Sequence, residues 1–304
     1  MTSVCVLLST YNGEKYLREQ LDSLLAQEDT DLTVLARDDG SSDGTTAILN
    51  EYSSAHDNIS WYRGPNLGPA KSFFDLIRNA PPAEYYAFCD QDDVWDPDKL
   101  KIAVGMLEKA DPATPNMYHS NLRIVDAGLH FYRLSHSKPY DQKTKYSVLA
   151  EDVATGCTMV FNRTAEELFR NHIPAYYSMH DSWVYLVCRF FGTAVYDFDA
   201  HISYRQHNSN AIGTYLGKKT MDIYKERFLR LFNRELQPRY HNACNFYEEF
   251  GDMLNEKDKK KVLKVVRYKE SLPRLLSLLF DREIHASDLS REVRYRILIL
   301  LRIV

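Results

Sequence analysis

Four short polar clusters carry side chains able to act together on a phosphorylated, hydroxyl-rich ligand. The first is Asp90-Gln91-Asp92-Asp93, directly after the apolar run ending at Cys89. Three carboxylates within four residues repel one another, so a cation is a natural resident. Hard oxygen donors with open positions suit Mg²⁺ or Mn²⁺ holding a diphosphate. The second, Arg37-Asp38-Asp39-Gly40-Ser41, closes another apolar run. A carboxylate placed there can accept an N–H from a pyrimidine base or a ribose hydroxyl. Thr10-Tyr11-Asn12 offers an aromatic face for stacking. Asn66-Leu67-Gly68 with Lys71 sets backbone amides and a cation at a helix start, an arrangement suited to phosphate oxygens. Taken singly, each cluster is also explained as turn chemistry or as a solvated helix start, with Asp96 capping the helix after the acidic cluster.

The elements around these clusters decide whether they meet. Apolar runs at residues 4–9, 32–36, 59–62 and 85–89 read as strands. Between them, Leu17, Leu21, Leu24 and Leu25, then Ile48 and Leu49 behind a capping Asp43, then Phe73, Phe74 and Ile77 recur at helical spacing. Strand, polar loop and helix in repetition predict an α/β fold with a mostly parallel central sheet and helices on both faces. Ligands in such sheets bind beyond the carboxyl ends of the strands, so the clusters are expected to converge on one crevice. After Met117 the pattern is less regular, with candidate strands at 157–161 and 194–198 and a helix over 181–190. From Lys218 onward helical periodicity dominates, as in Phe228, Leu231 and Phe232, then Leu275, Leu276 and Leu279. The expected division is an α/β domain over 1–217 and a helical C-terminal region over 218–304.

The 304 residues are 44% hydrophobic and 26% charged, which excludes a disordered chain and a small disulfide-stapled scaffold. No apolar stretch approaches the roughly 20 residues that span a bilayer. The first run has no basic lead-in and no small-residue cleavage site, and reads as a buried strand rather than a signal peptide. The net charge of −4 conceals a split: residues 1–213 hold 18 Lys and Arg against 29 Asp and Glu, while the remainder holds 20 against 13. Acidity in front fits cation-dependent chemistry; the basic remainder is either an ordinary solvated helical surface or a face for an anionic partner. Five cysteines form no CxxC pair, which points to core thiols in a reducing cytoplasm and away from zinc.

The motifs LLSTYNGEKYL, ARDDGSSDGT, NLGPAKSF and FCDQDDVW, in this order, resemble those of the family 2 glycosyltransferases with the GT-A fold, over residues 3–215. CDQDDVW and the later SYRQHNSNAIG are similar to the bacterial rhamnosyltransferase-like branch. The resemblance implies that Tyr11 and Asp39 hold the nucleotide base, with Thr10 near the ribose and Asp38 supporting the loop. It implies Asp90 toward ribose and sugar, Asp92 on the metal, and Asp93 at the sugar or behind the metal. Asn66 and Lys71 join them as nucleotide-sugar contacts. The family's catalytic carboxylate falls on Asp181, within Ser178-Met179-His180-Asp181-Ser182-Trp183. Where many members carry Glu-Asp, this chain has His180-Asp181. An acceptor hydroxyl is a poor nucleophile at neutral pH, so inverting transfer needs one such base, although Asp181 also reads as an ordinary helix N-cap. His207 is placed in the metal shell or at the diphosphate, with Arg205 a further phosphate candidate. Trp95 and Trp183 are either sugar platforms or core aromatics.

The resulting expectation is a metal-dependent inverting glycosyltransferase using Mn²⁺ or Mg²⁺. It would move a sugar, rhamnose from dTDP-rhamnose or another from a UDP-sugar, onto a bacterial cell-surface glycan or lipid-linked acceptor. A nucleotidyltransferase would require a Gly-rich basic first loop, which Ser9-Thr10-Tyr11-Asn12-Gly13 is not; an inactive binding module would be expected to lose Asp92 or Asp181. A cytoplasmic enzyme is expected, with no nucleic-acid partner. The lysines of 257–264 and the mixed Leu, Ile and Arg segments at 272–280 and 295–304 are compatible with packing, with a homodimer, or with peripheral contact at the inner membrane face.

Overall fold

The computed structural model describes residues 1–140, 144–175, 179–207 and 237–304. Phe228, Leu231 and Phe232, Ser178, and the 208–213 part of SYRQHNSNAIG lie outside the described residues. The chain forms two compact units: Met1–Lys138, Ala154–Ile173 and Gly192–Leu216 in the first, and Pro139–Val153, Pro174–Phe191 and Gly217–Val304 in the second.

The first unit is built on strands β1 (Thr2–Thr10), β2 (Thr30–Asp38), β3 (Ile59–Arg63), β4 (Tyr85–Cys89), β5 (Val94–Trp95), β6 (Asn116–Val125), β7 (Phe131–Leu134), β8 (Val160–Asn162) and β9 (Thr193–Arg205). They form one sheet in the order β3-β2-β1-β4-β8-β6-β9-β5, with β7 beside β6. The β3-β2-β1-β4 half is wholly parallel; the other half mixes antiparallel pairs with the parallel pair β6–β9. Val4, Cys5, Val6, Leu7 and Leu8 are all buried, the run expected of a strand covered on both faces rather than one. Helices α1 (Leu17–Leu25), α2 (Thr45–Ala55), α3 (Pro69–Asn79) and α4 (Lys99–Leu107) follow β1, β2, β3 and β5. Each turns an apolar stripe inward, such as Leu17, Leu21 and Leu24, or Phe73, Phe74 and Ile77.

Register brings the ends of β1, β2 and β3 level and stops β4 two residues short of them. Thr10 lies beside Asp38 and Asp38 beside Arg63, while Leu8 lies beside Cys89. The polar residues that follow therefore emerge side by side, as the α/β reading requires.

Three local expectations are corrected. Residues 157–161 are not one strand: Gly156–Thr158 forms a 3₁₀ turn, with Thr158 donating through both its amide (3.0 Å) and its hydroxyl (2.7 Å) to the Thr155 carbonyl, and β8 starts at Val160. The strand expected at 194–198 runs on to Arg205, carried by its pairing with β6 and β5. Asp96 does not cap α4; its carboxylate takes the Arg123 guanidinium at 2.8 and 2.5 Å.

The second unit contains a 3₁₀ helix (Lys145–Leu149) and helices α6 (His180–Phe191), α7 (Pro238–Phe250), α8 (Glu256–Arg267), α9 (Leu272–Leu279) and α10 (Leu289–Leu300), α5 (Arg163–Asn171) belonging to the first. Trp183 stacks on Phe250 and meets Phe246 edge-on at the centre of its core. Trp95 and Trp183 are both buried, so core packing is the outcome for each. Three of the five lysines of α8 are drawn into ion pairs: Lys257 and Lys261 with Glu283, Lys261 and Lys264 with Asp281.

Candidate active site

The ladder hydrogen bonds continue one step past the strands and fix the first loops. The Asp39 amide donates to the Thr10 carbonyl (2.8 Å) and the Gly64 amide to the Asp38 carbonyl (2.9 Å). Beneath them lies Arg37, fully buried at the end of β2. Its guanidinium pairs with Asp39 and with Asp75 (2.8 Å), and donates to the Pro65 carbonyl (3.0 Å) and Ser72 Oγ (3.2 Å). Asp39 in turn accepts the amides of Leu67 and Gly68, each at 2.8 Å. The amides expected to serve phosphate oxygens thus serve Asp39, and they tie the α3 loop to the β2 loop. Asp38 is buried, accepting the Ser41 amide at 3.1 Å with Arg63 Nε at 3.4 Å. Gly40 sits at φ +84°, and a Cβ there would meet the Asn66 nitrogen at 3.3 Å, so the close approach of the two loops needs glycine.

Thr10 is buried with its hydroxyl on the Arg37 carbonyl at 3.2 Å. Tyr11 is 48% exposed, its backbone held from both sides by the Gln91 side chain at 2.8 and 2.9 Å. That bridge fastens the end of β1 to the acidic cluster and leaves the Tyr11 ring accessible. Asn66 and Lys71 are exposed at the start of α3.

The acidic cluster is organised by the far end of β9. The Arg205 amide donates to Asp93 Oδ1 (3.0 Å) and its Nε to the Asp92 carbonyl (2.8 Å). Its guanidinium also reaches Glu19 at 2.5 Å and lies over the Tyr16 ring. Arg205 is therefore buried in internal contacts rather than turned toward a phosphate. Two residues on, His207 Nε2 lies 2.7 Å from Asp92 Oδ2, its ring against Tyr16. Burial, and then the charge of Asp92, raises the Asp90 carboxyl to about 7. Asp93 is raised by the same causes, and burial pushes the Cys157 thiol up beside it. Lys99, buried over the Trp95 ring at 3.3 Å, is lowered to about 8 by burial.

These groups fit a divalent cation. Donor atoms of Asp90, Asp93 and Cys157 lie within 4.8 Å of one another, and Asp92 is in contact with an imidazole. Carboxylates raised by burial and mutual repulsion are relieved by positive charge. Carboxylate oxygens with one imidazole suit Mn²⁺ or Mg²⁺, whereas the protonated Cys157 thiol is no ligand for a hard ion.

In the second unit Asp181 lies in the first turn of α6, nearly buried, its Oδ1 accepting the Ser182 amide at 2.7 Å. The Ser182 hydroxyl donates to Asp152. His180, the departure from the family pattern, is buried, and desolvation lowers its imidazole to about 3, so it stays neutral. Beside the first turn of α6 a cavity of about 290 Å³ is lined by Leu149, Asp152, Met179, Ser182, Arg239 and Asn242 among others. Asp152, Gln91 and the clamping parts of Arg37 and Arg205 escaped the sequence reading. An arginine at the end of an apolar strand beside two aspartates was a usable signal for Arg37; Gln91 and Asp152 gave none.

The profile described as "Glycosyl transferase family 2" matches residues 5–169. The chain is 28% identical to the dTDP-rhamnosyl transferase RfbG of Shigella flexneri over 228 residues, 70% of this chain and 75% of that protein. It is 30% identical over 177 residues to a glycosyltransferase of Nostoc sp., covering 56% of this chain and 51% of the relative. Among solved structures, S. aureus TarS 1–349 in complex with UDP-GlcNAc matches with a TM-score of 0.57 at 18% identity, covering 99% of this chain and 91% of that one. The mannosyltransferase PcManGT of Pyrobaculum calidifontis, in complex with GDP-Man and Mn²⁺, matches at 0.53 and 16%, covering 98% and 86%.

Proposed function

Because the chain belongs to glycosyl transferase family 2 and is a glycosyltransferase, we propose that it catalyses inverting transfer of rhamnose from dTDP-rhamnose to a hydroxyl of a bacterial cell-surface glycan or its lipid-linked precursor. The observation that carries the reading is the strand register, Thr10 beside Asp38 and Cys89 beside Leu8, which with the Gln91 bridge to Tyr11 sets Tyr11, Asp39 and the 90–93 cluster side by side, with His207 on Asp92. The rhamnosyl donor is supported by the relative from Shigella flexneri.

In this reading the Tyr11 ring stacks on the base and Asp39, held rigid by Arg37, accepts its N–H. Thr10 lies near the ribose and Asp90 faces the ribose and sugar, with Asn66 and Lys71 at the phosphates and Asp93 behind the cluster. Asp92 and His207 would hold Mn²⁺ or Mg²⁺, which neutralises charge building on the departing diphosphate. Asp181 removes the proton of the acceptor hydroxyl as that oxygen attacks the anomeric carbon, and the diphosphate leaves from the opposite face. Cytoplasmic residence agrees with five free thiols.

The test is a thermal-shift panel of dTDP-rhamnose, UDP-glucose, UDP-GlcNAc and GDP-mannose, each with Mn²⁺, Mg²⁺ or EDTA. A donor at a hundred times its Kd stabilises by about 2.7 kcal/mol. dTDP-rhamnose with a divalent ion is expected to raise Tm most. Equal stabilisation by all four donors, or stabilisation unaffected by EDTA, would overturn the donor or the metal assignment respectively.

A further inference from the structure

The last two helices are apolar on their outer faces as well as their inner ones. In α9, Leu275 and Leu278 are buried, while Leu272, Leu276 and Phe280 just beyond its end expose 39–73% of their surface. In α10, Tyr295, Leu298 and Ile299 are buried, while Leu289, Val293, Ile297 and Leu300 expose 49–80%. Steps of three or four residues place each exposed set on one stripe of its helix. A concentration of exposed large apolar side chains on this scale marks an interaction surface.

The charges beside the stripes choose the partner. Each acidic group of this segment is already paired: Asp281 with Lys261 and Lys264, Glu283 with Lys257 and Lys261, Asp288 with Arg291, Glu292 with Arg296. Arg282, Arg294 and Arg302 are exposed, and no carboxylate lies within ion-pair distance of them among the described residues. Three of the five lysines in the run that the sequence singles out are thus neutralised internally, and the positive charge left outside belongs to Lys259, Lys260 and the arginines flanking the apolar stripes. A twofold contact of this face with a second copy would bring like charges together. Anionic lipid complements them, and the headgroup–acyl boundary accepts the apolar side chains. At 8 and 12 residues the helices are too short to span a bilayer, which takes about 20.

We infer that the outer faces of α9 and α10 dock on the surface of an anionic bilayer, with Leu272, Leu276, Phe280, Leu289, Val293 and Ile297 at the acyl boundary and Arg282, Arg294 and Arg302 on lipid phosphates. The full chain is floated with vesicles of phosphatidylcholine containing 30% phosphatidylglycerol, and with phosphatidylcholine alone. It should rise with the anionic vesicles, stay below with the neutral ones, and be released by high salt. Arg282→Gln/Arg294→Gln/Arg302→Gln should lower partitioning about a hundredfold, at about fivefold per arginine. Val293→Ser/Ile297→Ser should lower it at least several-fold, with an unchanged circular dichroism spectrum confirming the fold. Flotation absent, equal on neutral vesicles, or indifferent to both variants overturns the inference. So does a dimer in light scattering that Val293→Ser/Ile297→Ser dissolves without any vesicle binding, which would assign the face to a second copy. No substrate enters the assay, so its failure leaves the glycosyl-transfer reading standing.

Discussion

The Arg37–Asp39 pair is the most direct handle on the donor side of the site. Its side chains are 1% and 4% exposed, so solvent does little to screen their attraction or to rescue either charge alone. Breaking a buried pair by removing one partner costs about 3–5 kcal/mol. Asp39→Asn leaves Arg37 with Asp75, which is 30% exposed, and belongs at the low end, about 3 kcal/mol. Arg37→Met strands Asp39 and also frees the Pro65 carbonyl, adding about 1 kcal/mol for about 4 kcal/mol in all. The double variant removes both charges and is expected to lose about 4 kcal/mol rather than the additive sum of about 7, a coupling of about 3 kcal/mol. Urea unfolding of the four proteins at pH 7.5, followed by circular dichroism, measures the cycle. Additivity within about 0.5 kcal/mol would refute the claim that this pair holds the loops together. Arg37→Met should also weaken nucleotide-sugar binding, because the 64–68 loop loses its anchor.

Other outcomes follow from the same contacts. Asp181→Asn should lower kcat by about 10²- to 10⁴-fold while donor Kd from calorimetry stays nearly unchanged; near-normal turnover would remove Asp181 as the base. Burial works to raise the Asp281 carboxyl, but Lys261, Lys264 and the amides of Glu283 and Ile284 hold it well below the usual carboxylate range. Its contribution is therefore complete above the unfolded value of about 3.9 and is lost as pH falls toward the folded one. Asp281→Asn should cost about 3 kcal/mol at pH 7 and clearly less at pH 3 in paired urea melts; an equal gap at both would contradict the ion-pair account. Burial pushes Cys5 up to about 12 and raises Cys89, Cys157 and Cys188, so Ellman's reagent at pH 8 should find at most Cys244 in the native protein and all five thiols in urea.

The strands, the helices between them and the polar clusters were legible in the sequence, because hydrophobic period and turn chemistry are local properties. The run from Val4 to Leu8 and the loops after it needed no partner to be recognised. That β3, β2, β1 and β4 run parallel followed from the alternation with helices, which makes parallel neighbours the accessible arrangement; their order did not. Where local chemistry competed with pattern, reading by pattern failed. The Thr155–Thr158 turn displaced a strand start, and Arg123 drew Asp96 away from its capping position.

What the tertiary structure alone decided is which polar groups are spent inside and which face out. Arg205 reads as a phosphate contact in the sequence and is spent on internal bonds in the fold, while Asp39 takes the Leu67 and Gly68 amides together with the Arg37 guanidinium and so sets the shape of the loops. His207 meets Asp92 across 115 residues, a distance no periodicity encodes, because β9 runs seven residues past its recognisable core, pairing with β5 at Ile202 and Ser203 on the way. The second unit likewise gathers 139–153 and 174–191 from the middle of the chain with the C-terminal helices. Sequence pattern determines the elements, since each buries a face readable from its own residues. The pairing of charges distant in sequence is set only when strand register fixes which side chains share a low-dielectric interior.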